Sequence, residues 1–356
     1  MIAAMHPVLS LSSTRLVAEL DRDVGHAHAR WRTRRAILVT LEDASGQRGR
    51  GEAAPLPGRS VETLEDVERA LAELGTSFEP SEVDLRALPP SLRFALEAAM
   101  LDLRAGERPA YAALVDDVRV PRVPERLELQ VMLDDLEEAR ERAAEAFAQG
   151  ARTFKVKIGR PERASDEAAL LTSLRELGRE VVIRADANGR LDDVETLGPA
   201  LERARVEYVE DPCAIDDERL ARWTGVPMAL DEPIAHDAPH VLSTATAHGA
   251  GVVVLKPTLI GGIEATLALA ARARMRGLKV VLSHALEGPV GLAALAHLAL
   301  AASASSRRAL WGAQGLAPWP GCERFVAEGA SEPIALPYYL GATRLLRPSS
   351  PGLGLG

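Results

Sequence analysis

Acidic residues end three successive runs of β-forming residues in the second part of the chain. These are Asp186, Glu210 and Asp231, which close the runs 181–186, 206–210 and 227–231. If the runs are neighbouring parallel strands, their carboxyl ends share one rim, which is where barrel enzymes place their active sites. Three carboxylates converging there would suit Mg²⁺, with Mn²⁺ as an alternative, because these ions prefer oxygen ligands. The sequence therefore predicts a divalent metal site.

Two of these acids have an acidic neighbour, Asp211 or Glu232, and the alternation of side chains along a strand decides between them. Glu210 lies in phase with Tyr208, and the corresponding phase of the next strand selects Asp231. We therefore expect Glu210 and Asp231 to bind the metal, while their neighbours support the ligands.

Three lysines are placed where they could act on a carbon acid beside this metal. Lys155 and Lys157 share one face of the strand 153–158, and Lys256 ends the strand 252–256. The other face of the first strand is apolar and must meet the surrounding helices, so both of its lysines point into the barrel. An enediolate formed beside a carboxylate needs a metal and cations to stabilise it. A free lysine has a pKa of about 10.4, which burial, Mg²⁺ and a second ammonium would lower enough to free a base.

Each of these features has a simpler structural explanation when it is taken alone. A Lys-x-Lys strand is often an exposed edge, and acidic residues before proline often open loops. Five successive strands that each end in an ionisable group fit these explanations poorly. Arg184 also points inward, and it could either neutralise an acid or contact substrate. His284 follows a strand end and could be either catalytic or a rim residue, whereas His297 is interpreted as a packed helix residue.

The elements that would position these residues alternate between strand and helix from about residue 125 onward. Helical patterns such as 136–149 and 263–276 separate the strands, and glycines stand near helix ends, where left-handed caps are expected. The strands are 128–133, 153–158, 181–186, 206–210, 227–231, 252–256, 279–283 and 309–313. Eight such units indicate an α/β parallel barrel. A doubly wound open sheet is the rival, although no GxGxxG follows a strand.

The first part of the chain has an α+β pattern. The runs 35–42 and 46–52 flank a short turn and predict an antiparallel hairpin. Ser91 is expected to cap a helix with an apolar face at 3.6-residue spacing. That face consists of Leu92, Ala95, Leu96, Ala99, Met100 and Leu103. The predicted domains are 1–122, 123–335 and a tail, 336–356, that could pack back on the first domain.

Bulk composition excludes several other classes of protein. The net charge is −9 over 356 residues, and the basic residues are mixed with acids, so no nucleic-acid partner is expected. Two distant cysteines argue against a disulfide scaffold or a zinc site and fit a reducing cytoplasm. We recognise no signal peptide and no uncharged apolar run of about 18 residues, so no membrane partner is expected. No particular oligomeric state is predicted.

The order of these motifs resembles the muconate-lactonizing subgroup of the enolase superfamily. The matching stretches are Lys155-Val-Lys157, Asp186-Ala-Asn188, Val209-Glu-Asp-Pro-Cys213, Leu230-Asp-Glu-Pro233 and Lys256-Pro-Thr-Leu-Ile-Gly-Gly262. Within that subgroup the chain is most similar to the o-succinylbenzoate synthase family. The stretches that favour this family are Gly51-Glu-Ala-Ala-Pro-Leu-Pro-Gly58, Glu62-Thr-Leu-Glu65, Lys256-Pro-Thr-Leu259, and Leu282-Ser-His-Ala-Leu-Glu-Gly288 before Gly291.

The resemblance implies a (β/α)₇β TIM-like barrel under an α+β capping domain, whose loop around residues 55–60 closes over a small carboxylate substrate. It implies a lyase that dehydrates 2-succinyl-6-hydroxy-2,4-cyclohexadiene-1-carboxylate to 2-succinylbenzoate in menaquinone biosynthesis. Lys157 would be the base and then the acid, Lys155 would tune it, and Lys256 would stabilise the enediolate. The resemblance assigns Mg²⁺ to Asp186, Glu210 and Asp231. It places Ser283, Arg184 and Asn188 in substrate binding, with Asn188 also supporting the metal ligands.

Two departures from the family pattern lie on the substrate side. His284 replaces a hydroxyl residue after Ser283, and Gly288-Pro289 replaces small polar residues. They leave open an N-acylamino acid racemase or a dipeptide epimerase that uses Lys157 and Lys256 on opposite faces of the substrate. A catalytically silent metal-binding scaffold is a rival of another class, and the three intact lysines argue against it.

Overall fold

The computed structural model describes residues 8–26, 29–115, 122–160, 162–192, 194–214, 217–218, 225–236, 240–243, 249–304, 309–336, 339–340 and 343–355. An antiparallel sheet occupies the first part of the chain, and a curled parallel sheet with surrounding helices occupies the second. The predicted α/β fold class, with a separate N-terminal domain, is confirmed.

The antiparallel sheet has the strand order β13–β1–β2–β3, with β4 paired to β1. Its strands are β1 (Leu9–His26), β2 (Ala29–Glu42), β3 (Arg48–Ala53), β4 (Ser77–Phe78) and β13 (Val326–Ala327). The predicted hairpin is confirmed by β2 and β3, in which Glu42 lies opposite Arg48. Because β13 comes from far along the chain, this sheet is not built from the N-terminal residues alone.

Three helices pack in this first domain, and a 3₁₀ turn lies at Leu85–Ala87. The helices are α1 (Leu64–Leu74), α2 (Pro90–Ala105) and α3 (Ala110–Val115). The predicted cap at Ser91 is wrong, because α2 already begins at Pro90, whose missing N–H costs nothing at a first helical position. The backbone amide of Ser91 instead donates to Glu62. The predicted apolar face of α2 is buried against the sheet.

The parallel sheet runs from β6 to β12 with every strand beside its neighbour in the sequence. Its strands are β6 (Val131–Leu133), β7 (Thr153–Lys157), β8 (Val182–Asp186), β9 (Tyr208–Glu210), β10 (Met228–Leu230), β11 (Ala250–Leu255) and β12 (Lys279–Leu282). A doubly wound sheet would reverse its strand order at a switch point. The unbroken order is that of the predicted barrel.

The barrel is closed by two isolated bridges, and the predicted eighth strand at 309–313 is wrong. Leu129 pairs with Gln314 and Ser283 pairs with Gly315, both in parallel. Residues 309–313 are not in a strand. Local β propensity therefore could not locate the segment that closes the barrel, Gln314–Gly315, since its pairing depends on the two strands that it joins.

Helices cover the outside of the barrel, and a small cluster of apolar side chains fills its interior. The helices are α4 (Ala139–Ala148), α5 (Ala164–Glu176), α6 (Val194–Arg203), α7 (Glu232–His236), α8 (Pro257–Ile260), α9 (Ile263–Met275) and α10 (Pro289–Ala302). Phe154 and Val156 pack outward, whereas Tyr208 and Val254 fill the interior. The apolar α10 is buried along its whole length. Among the described residues, no helix combines the length and apolarity needed to cross a bilayer.

The end of the chain returns to both domains. β15 (Arg344–Leu346) pairs with β5 (Arg126–Glu128) and with β14 (Tyr339–Leu340). Farther on, the backbone amide of Leu353 donates to Asp102 on α2 at 2.6 Å. The sequence-based limits 1–122, 123–335 and 336–356 stay predictions.

Candidate active site

Three acidic residues lie at the carboxyl ends of the adjacent strands β8, β9 and β10. Asp186 lies directly opposite Glu210 in the β8–β9 pairing, and Glu210 lies opposite Ala229, two residues before Asp231. All three acids are buried, and Glu210 is only 1% exposed. The register of adjacent parallel strands therefore collects the three carboxylates at one place on the rim.

Two of the predicted lysines pair with these acids. The Lys155 ammonium lies 3.0 Å from Oδ2 of Asp186 and also contacts the Glu210 carboxylate. Lys256 donates to Oδ2 of Asp231 at 2.5 Å. Lys155 is almost completely buried, so these carboxylates compensate a charge that would otherwise be costly to remove from water.

The two lysines of β7 have opposite electrostatic environments. Although burial favours its neutral form, Asp186 and Glu210 raise the pKa of Lys155 well above the usual value. Burial, with help from the Lys155 and Lys256 ammonium groups, lowers the pKa of Lys157 against the attraction of Asp186. Lys155 is therefore held as a cation, while the Lys157 ammonium loses its proton more readily than that of a free lysine.

The three acids supply the oxygen ligands of a cation site, but their carboxylates are not arranged closely enough to form a complete site. Within the described ranges, no three acidic, histidine or cysteine side chains already stand close enough together to hold an ion. Oε1 of Glu210 is buried and accepts no hydrogen bond from any described residue. Burial and repulsion from Asp186 and Asp231 raise the pKa of Glu210 to about 7, despite the Lys155 ammonium. A buried, unpaired carboxylate oxygen beside two further carboxylates fits a hard divalent cation.

Two neighbouring residues, Asp211 and Asn188, hold the acids in position. Both have a positive φ, a backbone conformation that residues other than glycine rarely adopt. Asp211, with φ of 39°, accepts hydrogen bonds from the backbone amides of Asp231 at 3.1 Å and Glu232 at 2.9 Å. Asn188, with φ of 48°, donates through both its side chain and its backbone amide to Asp186. Asp211 thus supports the ligand of the next strand, and Asn188 supports Asp186.

A cavity of about 190 Å³ lies above this cluster, between the barrel rim and the capping domain. Its walls include most of the residues that sequence analysis singled out. They are Lys155, Lys157, Lys256, Asp186, Asp231, Asn188, Ser283 and His284. The capping domain contributes Leu56 and Arg59 from the loop that the family resemblance places over substrate.

Arg184 is not among the residues that line this cavity, which argues against its predicted contact with substrate. Its guanidinium pairs with Glu207 at 2.8 Å and donates to Gln130 and to the carbonyl of Ala313, both at 2.7 Å. It also lies over the ring of Tyr208. Arg184 precedes Asp186 by two residues on the same face of β8, so it lies one layer deeper in the barrel, where it neutralises an acid.

His284 lies on the cavity wall as a neutral hydrogen-bonding residue. Burial and the nearby Lys256 and Lys155 ammonium groups lower the pKa of His284 to about 3. Its Nδ1 accepts the backbone amide of Leu286 at 3.2 Å. His297, by contrast, is packed inside α10, where its Nδ1 accepts the backbone amide of Tyr111. These placements agree with a rim role for His284 and a packing role for His297.

Sequence reasoning missed Arg59, which links the capping domain to the rim. Arg59 pairs with Glu232, directly after Asp231, and its side chain is 14% exposed. Burial lowers the pKa of Arg59, while Asp231, Asp211 and Asp186 oppose that shift. In the sequence, Arg59 directly follows the Gly51–Gly58 motif, which could have indicated a functional role. Only the fold shows that this loop reaches the acids.

Known proteins resemble both parts of the chain. The family described as "Enolase C-terminal domain-like" matches residues 138–356, and that described as "MenC, N-terminal domain" matches residues 15–103. The o-succinylbenzoate synthase of Vibrio cholerae is 32% identical over 280 residues, covering 75% of this chain and 78% of that protein. That of Aliivibrio fischeri is 29% identical over 293 residues, covering 79% of this chain and 83% of that protein.

A solved structure gives the same fold over nearly the whole chain. The dipeptide epimerase from Methylococcus capsulatus, complexed with Mg and the dipeptide L-Arg-D-Lys, superposes with a TM-score of 0.76. The match covers 98% of this chain and 99% of that one at 24% identity. At this identity the likeness establishes the fold and leaves the reaction to the site.

Proposed function

The chain belongs to the enolase superfamily and to its o-succinylbenzoate synthase family, and from this premise we propose its reaction. It is a lyase that dehydrates 2-succinyl-6-hydroxy-2,4-cyclohexadiene-1-carboxylate to 2-succinylbenzoate in menaquinone biosynthesis. The observation that carries the proposal is the unequal pair on β7, in which Lys155 stays charged and Lys157 has a lowered pKa beside three carboxylates.

Lys157 acts on the substrate as base and then as acid. Its neutral amine takes the proton from the ring carbon that bears the carboxylate, and the electron pair of that C–H bond forms the enediolate. The C–O bond to the ring hydroxyl then breaks, and the Lys157 ammonium returns the proton so that water leaves. The six-membered ring becomes aromatic, and no oxidant is required. A lysine base is an established solution within this superfamily.

The other two lysines stabilise charge during this step. Lys155 remains an ammonium beside Asp186 and Glu210, which keeps a positive charge next to the base. β7 and β11 are four strands apart in the closed sheet that runs from β6 to β12, so Lys256 acts from the opposite side of the substrate. Its cationic form would stabilise the negative charge of the enediolate without taking part in proton transfer.

Asp186, Glu210 and Asp231 would hold the divalent cation, Mg²⁺ or Mn²⁺, with Asn188 and Asp211 orienting the first and last of them. When bound, the ion supplies positive charge to the substrate carboxylate and lowers the cost of forming the enediolate. In the structure, Lys155 and Lys256 pair with these same carboxylates. Ser283, which directly follows β12 and lines the cavity, is proposed to meet the succinyl chain.

Racemisation or epimerisation of an amino-acid derivative is the second candidate reaction. One observation favours it: Lys157 and Lys256 line the same cavity from opposite sides, as a two-base reaction requires. A silent scaffold is disfavoured, because burying Lys155 and partly burying Lys157 beside unpaired acid would have no evident structural benefit. The cytoplasmic location expected from the sequence stays a prediction.

A direct assay separates these reactions. The Mg²⁺-loaded protein is given the cyclohexadiene, and formation of the aromatic product is followed by absorbance. In parallel, N-acylamino acids and dipeptides are incubated in D₂O, and exchange at the α carbon is followed by NMR. Rapid dehydration with slow exchange supports the proposal. Strong exchange or racemisation without dehydration would overturn it in favour of the second candidate.

A further inference from the structure

A cavity of about 470 Å³ lies at the amino ends of the barrel strands, on the face away from the active site. β7 begins there with Thr153, which lines this cavity, and ends at the active site with Lys157. About 13 Å of strand separates these two residues. The volume falls within the range of about 300–1,000 Å³ that is typical of small-molecule sites. Among the described residues none lines both cavities, so a ligand here would leave the active site accessible.

Three arginines from separate segments of the chain line this cavity, which we call the basal arginine cavity. Arg126 lies on β5, Arg152 directly precedes β7, and Arg344 is the first residue of β15. Glu128 is the one acidic residue among the described residues of the lining. Three positive charges and one negative charge leave an excess of two positive charges, although the chain as a whole carries −9.

The pairing of β5 with β15 places two of these arginines on either side of Glu128. Arg344 lies directly opposite Glu128 in the antiparallel register, and Arg126 lies two residues before Glu128 on the same strand. Side chains alternate along a strand, so all three project from one face of this sheet. Leu345, which projects from the other face, is completely buried in the core. The strand period therefore directs both guanidinium groups to the cavity side.

Glu128 does not satisfy the two guanidinium groups that flank it. Its carboxylate lies 3.4 Å from Nε of Arg126 and 3.5 Å from Nε of Arg344. In the described part of the chain, neither arginine side chain donates a hydrogen bond, and Nε of Arg344 is buried without an acceptor. Buried polar groups are otherwise almost always hydrogen-bonded. Donors therefore remain free for a ligand.

The third guanidinium, that of Arg152, is held in a fixed position beside the cavity. Its Nη1 donates to the carbonyls of Ala151 at 2.7 Å and Phe147 at 3.1 Å, and its Cζ lies 4.4 Å from the centre of the Phe147 ring. Glu180 lies 3.9 Å from its Nε. Both of these side chains are about half exposed, so this ion pair is weak. Arg152 thus adds a positioned positive charge that is only partly neutralised.

We propose that the basal arginine cavity binds a phosphate dianion, either as the free ion or as the phosphate group of a small organic ester. Two negative charges would balance the excess of two positive charges in the lining. Planar guanidinium groups pair with phosphate oxygens through two parallel N–H donors, and three of them can approach a tetrahedral ion from different sides. The room beyond the ion itself would accommodate an organic part. This inference does not rest on the proposed reaction, because the cavity lies outside the active site.

Calorimetry with the Mg²⁺-loaded protein tests this site through the Kd values of inorganic phosphate and of glycerol 3-phosphate. Arg126→Gln should raise both Kd values at least about fivefold, because it removes a charged donor from a partly exposed site. Glu128→Gln should lower them at least about threefold, because it removes the carboxylate that competes for both arginines. A variant that merely damaged the fold could not bind more tightly, so the opposite directions separate a binding role from a structural one.

Arg272→Gln is the matched control, since Arg272 is exposed on α9 and lies outside the lining of the cavity. Its Kd values should equal those of the unaltered protein. A smaller Kd for glycerol 3-phosphate than for phosphate supports an organic phosphate as the ligand, and an equal or larger one supports the free ion. Absence of binding to the unaltered protein, or Kd values that neither Arg126→Gln nor Glu128→Gln changes, overturns the inference.

Discussion

The carboxylate of Glu52, on the capping sheet, accepts a 2.9 Å hydrogen bond from the backbone amide of Gly291 in the first turn of α10. It accepts a second from Gly288 at 2.5 Å. The first amides of a helix have no partner within that helix, so the capping domain supplies the helix cap of a barrel element. The loop between Ser283 and Gly288 is thereby held from above.

Two further contacts fix the same loop. Arg34 of β2 donates through Nε to the carbonyl of Leu286 at 3.1 Å, and the Glu287 carboxylate accepts the backbone amide of Ala285 at 2.6 Å. Glu287 also bonds to Thr258 at the start of α8. The motifs at residues 51–58 and 282–291, far apart in sequence, therefore form one unit around the cavity wall.

Stability should depend on pH through Glu52. Burial raises the pKa of Glu52 from 4.5 to about 7. Between these values the folded state binds more protons than the unfolded state, so stability falls as pH rises, by at most about 1.4 kcal/mol per pH unit. Above about pH 7 the decline ends. Urea unfolding from pH 5 to 8 should show this slope in the unaltered protein, and Glu52→Gln should reduce it to the part contributed by other buried acids such as Glu210, whose pKa is also raised to about 7. Glu73→Gln, at an exposed position of α1, should keep it; parallel curves for all three proteins would contradict the assignment.

Substitution of Gly291 should destabilise the protein by crowding. A Cβ placed there would lie 2.6 Å from Cβ of Glu287. We expect Gly291→Ala to lower stability by about 1–3 kcal/mol, measured as a decrease in Tm. Gly251→Ala is the matched control, because its new Cβ would meet only Pro227 at 3.9 Å. Equal Tm values for the two variants would show that the junction of Glu287 and α10 tolerates a methyl group.

Removal of the base should stop the reaction and spare the metal. We expect Lys157→Ala to lower kcat by at least about 10³-fold, within the contribution of general acid–base catalysis, while calorimetry shows unchanged Mg²⁺ affinity. Lys279→Ala should retain normal turnover, since Lys279 is the first residue of β12, at the end of the strand away from the acids, and its ammonium lies over the ring of Trp311. Turnover that survives in Lys157→Ala would refute the assigned base.

Removal of one carboxylate charge should weaken the proposed cation site. Glu210→Gln keeps the shape of the side chain but leaves a neutral amide among Asp186, Asp231 and Lys155. We expect the Kd for Mn²⁺, measured by electron paramagnetic resonance, to rise by at least about 100-fold, beyond the usual effect of a supporting residue. Glu176→Gln, exposed on α5, should bind Mn²⁺ normally. Equal affinities would place the ion elsewhere.

Much of the rim could be predicted from sequence because strand periodicity is a local property. The alternation at Phe154–Ile158 shows which side chains must meet helices, and this alone turns Lys155 and Lys157 inward. How deep a side chain lies along the barrel axis is harder to predict from sequence. Arg184 and Asp186 point to the same side of β8, but the two residues of strand between them span about 6.6 Å, which separates the floor of the barrel from its rim. The eighth strand, the Arg59–Glu232 pair and the Glu52 cap were not predictable, since each depends on partners distant in sequence.

The pairing of β13 with β1 constrains the order in which the molecule can be completed during synthesis. The capping sheet begins near residue 9 but receives its outermost strand only at Val326–Ala327. A ribosome must therefore translate the whole barrel, and have the region around residue 327 clear its exit tunnel, before that sheet is whole. The first domain to emerge is among the last to be finished, and a chain released early would expose the unpaired edge of β1 to other chains.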